Sequence, residues 1–233
     1  TYTIAPNTSI DSIYEIIQQG EQVEQIKITF PEGFILYQFA NKVEEAGIAT
    51  KDEFIASTST YFNNKGYSFD TRNLYYNMEG YLFPDTYYFN VGQDVSDIVS
   101  KLAETMDLVF SDTYKNRAAE LGLTTHEVLT IASLIEREAY NDEERAKISG
   151  VIYNRLRINM PLQIDATVIY GLGEGKEHMT RVLWADLEKD NPFNTYKNLG
   201  LPPGPIASPG KNSIEAALYP EEHDYFYYVF AET

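Results

Sequence analysis

Apolar residues recur at helical spacing in several stretches of the chain, and in a few short ones they alternate with polar residues. These two periods outline its elements. Over residues 10–18, Ile10, Ile13, Ile16 and Ile17 share one helical face, and over 36–47 Leu36, Phe39, Ala40 and Val43 do the same. Each follows a run that reads as a strand, residues 2–5 and 26–30, closed by Pro6 and Pro31. This cadence predicts a small α+β module over about residues 1–60. Residues 57–76, rich in Asn, Ser, Thr and Tyr, read as a connecting region, and 79–89 as the aromatic-rich start of a second domain. Further helices are expected over 95–110, 125–139, 143–158 and 213–218, with an aromatic strand at 225–230. The expected fold class is α+β, a small α+β subdomain followed by a mixed, helix-rich domain, divided into residues 1–78 and 79–233.

The helix at 125–139 has the clearest boundaries. Thr124 can cap it, and Glu127 three residues later completes a capping box. Val128, Ala132, Ile135 and Ala139 define one face, with Ile131, Leu134 and Leu129 beside it, so the helix should be buried on most sides. Two carboxylates nevertheless lie near its end. Glu138 sits over Ile131, Leu134 and Ile135, whereas Glu136 sits over Leu129, Ala132 and Ser133. Aliphatic surroundings disfavour the charged form of a carboxyl group, which raises its pKa and suits a general acid near neutral pH. The next helix carries Arg155 inside its apolar stripe of Ile148, Val151, Ile152 and Leu156. A core-facing guanidinium calls for an acid, so Arg155 is expected to meet Glu136 or Asp165. Beyond it, interleaved polar and apolar residues place Gln163, Asp165 and Thr167 on one side of an extended start. Asn194, Thr195 and Tyr196, then the Pro/Gly-rich 200–206, form loops that could line a cleft or merely connect.

Composition narrows the chemistry. The 233 residues are 43% hydrophobic, enough for a sizeable core. A net charge of −17 argues against a nucleic-acid partner and against simple adhesion to anionic lipid. The absence of cysteine removes thiol nucleophiles and thiolate metal sites. His126, His178 and His223 have no paired spacing for zinc, no Gly-rich phosphate loop follows a strand, and no G-x-S-x-G elbow is present. Acid/base chemistry by carboxylate survives, with no cofactor expected. The 19 tyrosines offer flat faces with hydrogen-bonding tips, which suit sugar rings as well as ordinary packing. No apolar run approaches the ~20 residues of a membrane span.

Five ordered blocks carry a resemblance: Glu79-Gly80 with Phe83-Pro84-Asp85-Thr86; the 132–138 run ending in Glu136-Arg137-Glu138; Val151 to Leu156 with Asn154-Arg155; Leu162 to Gly171; and Asn194-Thr195-Tyr196 followed by the 200–206 loop. Together they resemble the MltG (YceG-like) endolytic murein transglycosylases over nearly the whole chain. The resemblance implies a LysM-like N-terminal subdomain, a catalytic domain over 79–233, and Glu138 as the catalytic residue. It implies that Asn154, Gln163, Asp165, Thr167, Tyr170, Asn194 and Tyr196 bind substrate, with Glu136 and Arg155 in structural or electrostatic support. It further implies peptidoglycan glycan strands as substrate, peptidoglycan synthases as partners, and an N-terminal single-pass anchor holding the enzyme on the extracytoplasmic face of the cell membrane. Family members continue past the final aromatic strand, so a C-terminal tail is expected beyond Thr233.

Such an enzyme cleaves the β-1,4 bond between N-acetylmuramic acid and N-acetylglucosamine and leaves 1,6-anhydro ends. One carboxyl group suffices, because the nucleophile is the substrate's own C6 hydroxyl. Two other readings stay open on sequence. One is a muramidase pairing Glu138 with Asp165 or Glu136; the other is a non-catalytic peptidoglycan-binding module.

Overall fold

The computed structural model describes residue 4, residues 6–19, 24–176 and 181–229. Helix α1, Ile10–Gln19, precedes strand β1, Gln25–Thr29. The strand expected at residues 2–5 lies outside the described residues apart from Ile4, which belongs to no element. Helices α2, Leu36–Glu45, and α3, Lys51–Lys65, follow, and then strand β2, Thr86–Asn90. β1 and β2 pair antiparallel in register from Gln25 opposite Asn90 to Thr29 opposite Thr86. Ile28, Tyr87 and Phe89 point into the core, and the Thr29 and Thr86 hydroxyls bond across the strands at 2.9 Å. Helix α4, Val95–Val109, packs against α3. The sheet and this helix pair therefore each join residues on both sides of position 78.

Helix α3 replaces half of the expected 57–76 connector. Its surface is polar, but Phe54, Thr58 and Phe62, four residues apart, are buried. A capping box starts it, with Thr50 accepting from the Glu53 N–H and Glu53 from that of Thr50, and Gly66 ends it at a φ of 72°.

The remaining helices are α5 (Asp112–Glu120), α6 (Thr125–Glu138), α7 (Asp142–Arg157), α8 (Asp165–Leu172), α9 (Trp184–Leu187) and α10 (Lys211–Leu218). α6 is the axis of this half. Val128 to Ile135 are all buried beneath α10, α7, α8 and α5. Its Thr124–Glu127 capping box forms as the sequence predicts, with the Thr124 N–H 2.8 Å from Glu127 Oε2. Two expectations of extended structure are corrected. Residues 165–172 are helical, so only Gln163 and Asp165 share an exposed side, while Thr167 turns inward. Among the described residues, 225–229 belong to no strand, and Asn154 and Arg155 of α7 take up the Tyr225 and Phe226 carbonyls; residue 230 of the expected strand lies outside the described residues. Among the described residues, no helix is long and apolar enough to cross a membrane.

Candidate active site

The site forms where α6 ends. Ala139 leaves the helix in an extended conformation, with a φ of −80° and a ψ of 130°, so Glu136 and Glu138 lie on the last turn and face different partners. Glu136 Oε2 accepts the Gly210 N–H at 2.9 Å and meets Arg145 Nη1 at 3.3 Å, with both side chains nearly dry. Glu32 lies against the same cluster. Burial raises its pKa, and the Glu136 charge raises it further.

Glu138 is different. Its Oε2 accepts a hydrogen bond from the Tyr228 hydroxyl at 2.9 Å. Burial pushes its pKa up to about 7; the Tyr228 bond and the Arg137 charge oppose that rise, and the Asp165 charge adds to it. A carboxyl group so poised exists in both protonation states near neutrality, which acid and base steps by one residue require.

Asp165 opens α8 and is exposed, and its Oδ1 accepts the Tyr196 hydroxyl at 2.6 Å. Burial raises the Tyr196 pKa, as do Asp165 and Glu138. Glu138, Asp165, Tyr196 and Tyr228 thus form one electrostatic group at the surface end of a buried helix. Gln163 stands exposed beside it with a φ of 49°, its N–H bonded to the Thr195 carbonyl at 3.1 Å.

The expected pairing of Arg155 with Glu136 or Asp165 does not form. Arg155 Nε donates to the Phe226 carbonyl at 2.7 Å, Nη1 to the Leu162 carbonyl, and the guanidinium lies 5.1 Å from the Tyr227 ring centroid. Carbonyl oxygens and an aromatic face meet the needs of the buried cation, and Arg145 takes the place beside Glu136 instead.

Three residues expected to contact substrate are enclosed in the fold. Thr167 joins Thr195 at 2.9 Å and the Ile164 carbonyl at 2.7 Å. Asn194 donates to the carbonyls of Leu187 and Lys189, which folds its loop, and accepts the Tyr196 N–H. Tyr170 donates to Glu79 Oε2 at 3.1 Å. With relative exposures of 0%, 1% and 4%, these side chains are bonded within the fold behind Asp165 and Tyr196. Asn154 is likewise occupied, donating to the carbonyls of His223 and Tyr225.

Two polar positions had no role assigned from sequence. Tyr228 was legible only as part of an aromatic run; its inward turn, with Phe226, follows an alternation against exposed Tyr225, Tyr227 and Val229. Glu79 is fully buried, accepts the Leu36 N–H at 2.9 Å and is pushed by burial to about 8. It ties α2 to α8 through Tyr170. Among the described residues, no group of three or more His, Asp or Glu side chains is arranged to hold a metal ion.

The chain is 39% identical over 239 residues to the endolytic murein transglycosylase of Bacillus subtilis strain 168, an alignment covering 98% of this chain and 65% of that protein. It is 31% identical to the endolytic murein transglycosylase of Streptococcus pneumoniae D39, over 98% of this chain and 45% of the relative. The chain therefore spans from just under half to about two thirds of these relatives' lengths. A crystal structure of a yceG-like protein from Listeria monocytogenes superposes with a TM-score of 0.81 at 34% identity, covering 97% of this chain and 77% of that one. The model of the YceG-like family matches residues 1–233, and the chain belongs to that family.

Proposed function

We propose that this chain cleaves peptidoglycan glycan strands internally, as an endolytic lytic transglycosylase acting between N-acetylmuramic acid and N-acetylglucosamine. The observation that carries the reading is Glu138, a carboxyl group held near neutrality at the half-buried end of a helix whose middle is enclosed. Relatives named endolytic murein transglycosylases support the substrate class. Protonated Glu138 gives its hydrogen to the glycosidic oxygen, and the C1–O bond breaks through an oxocarbenium-like state. The Asp165 carboxylate, oriented by Tyr196, lends negative charge to that state. The muramyl C6 hydroxyl then attacks C1 while Glu138 takes its proton, which closes a 1,6-anhydro ring and restores the acid. Gln163, Asp165 and Tyr196 face the glycan; Asn154, Thr167, Tyr170 and Asn194 hold the walls behind them.

The wider proposal includes a LysM-like part over about residues 1–60 ahead of the catalytic part at 79–233. It also places the enzyme at the cell membrane through a single N-terminal span, with the site on the extracytoplasmic face and peptidoglycan synthases as partners.

Mass spectrometry of products from purified glycan strands tests the reaction. Anhydro ends are expected, and Glu138→Gln should lower their yield by at least about a hundredfold. Reducing ends in their place would make the enzyme a muramidase, and an active Glu138→Gln variant would remove Glu138 from the chemistry.

A further inference from the structure

The segment after α10 runs beside Glu138 and, among the described residues, belongs to no strand. Its attachment is built from two adjacent residues of α7. Asn154 Nδ2 donates to the His223 carbonyl at 2.7 Å and to the Tyr225 carbonyl at 2.9 Å. Arg155 Nε donates to the Phe226 carbonyl at 2.7 Å, and its guanidinium covers the Tyr227 ring. The other arm of Arg155 reaches the Leu162 carbonyl, in the turn that leads to Asp165. Both anchoring side chains are 7% exposed, so these are dry, directional bonds. They fix the backbone at residues 223, 225 and 226, two residues short of the hydroxyl that meets Glu138.

We propose that Tyr228 is the positioning residue for Glu138, and that Asn154 and Arg155 hold it there by fastening the 223–226 backbone. The inference rests on the reading of Glu138 as the acid/base. In a carboxylic acid the carbonyl-type oxygen is the better acceptor, so a phenol bonded to Oε2 leaves the acidic hydrogen on Oε1. Tyr228 thereby selects the oxygen that delivers the proton and the one that recovers it. The phenol is a donor throughout, because burial and the Glu138 charge raise its own pKa. Among the described residues, Asp165, Arg137, Tyr196 and Arg155 also act on this pair.

Tyr228→Phe tests the proposal through its pH profile. Wild-type kcat/KM should fall on the alkaline side as Glu138 loses its proton, near pH 7. Removing the hydroxyl removes a bond that favours the charged form, so this limb should move up by roughly half to one pH unit. The expected fall in kcat is about tenfold, with little change in KM. Asn154→Asp, of the same shape but unable to donate, should lower kcat in the wild-type background and much less in the Tyr228→Phe background. A Tyr228→Phe profile superimposable on wild type would overturn the proposal, as would equal losses from Asn154→Asp in both backgrounds. Glu138→Gln measured alongside separates the two readings. If it is active the acid/base assignment itself falls; if it is inactive beside an unshifted Tyr228→Phe profile, only the role of Tyr228 falls.

Discussion

Replacing Arg145 with Met isolates the electrostatics that hold the last turn of α6. Arg145 faces Glu136 at 3.3 Å and Asp142 at 2.9 Å, and it also donates to Ser213 on α10. The Arg145 and Glu136 side chains are 11% and 7% exposed, which places the pair in the buried regime. There, loss of one partner strands the other charge and costs about 3–5 kcal/mol; an exposed pair would cost under about 1 kcal/mol. Glu32 makes the loss worse, because it already lies under the field of Glu136 and is relieved by Arg145. At about 2–4 °C per kcal/mol for a chain of this size, the melting temperature should fall by roughly 6–20 °C. Urea titration at pH 7 and calorimetry measure this directly, and the penalty should persist in high salt because a buried pair is poorly screened. Glu136→Gln combined with Arg145→Met should recover much of the loss, since no charge is then stranded. A cost for Arg145→Met below about 1 kcal/mol, or an unchanged cost in the Glu136→Gln background, would refute the reasoning.

Two further predictions concern Glu79 and its neighbour. Burial raises the Glu79 pKa from 4.5 to about 8, so the folded state binds a proton that the unfolded state releases. Its contribution to stability is therefore lost as pH rises through that window, by on the order of 4–5 kcal/mol. Glu79→Gln keeps the Leu36 bond through its amide oxygen and can donate its Nε2–H to the Tyr170 hydroxyl, reversing that bond, without this loss. Its stability relative to wild type should improve by several kcal/mol between urea titrations at pH 5 and pH 8.5, and an equal difference at both would contradict the assignment. Gly80 has a φ of 79°, and a Cβ there would stand 2.4 Å from Pro205 Cβ. Gly80→Ala combines left-handed strain with overpacking and should cost about 2–5 kcal/mol by thermal unfolding. A loss under about 1 kcal/mol would mean that the 201–207 loop yields easily.

The α6 helix was fully legible because its determinants are local. Thr124 and Glu127 are three residues apart, the apolar residues repeat at helical period, and Glu138 is the last helical residue. Helix α3 was hidden because three inward side chains support it under a polar surface, and composition over 57–76 averages that signal away. The sequence also could not assign partners to its cations. Arg155 and Arg145 lie on the same helix, and which one meets Glu136 depends on how α7 and α10 cross α6.

Sequence alone therefore determined the helix that carries Glu138, the apolar bed that disfavours its charge, and, by resemblance, the preference for Glu138 over Glu136 as the proposed acid/base. Tertiary structure decided what surrounds that carboxyl group. It set Tyr228 on Oε2 from 90 residues away, brought Asp165 with Tyr196 alongside, and enclosed Thr167, Tyr170 and Asn194. The reason is one of range. Periodicity and capping act between residues a turn apart, whereas desolvation and hydrogen-bond partners at a site are fixed only when distant segments pack together.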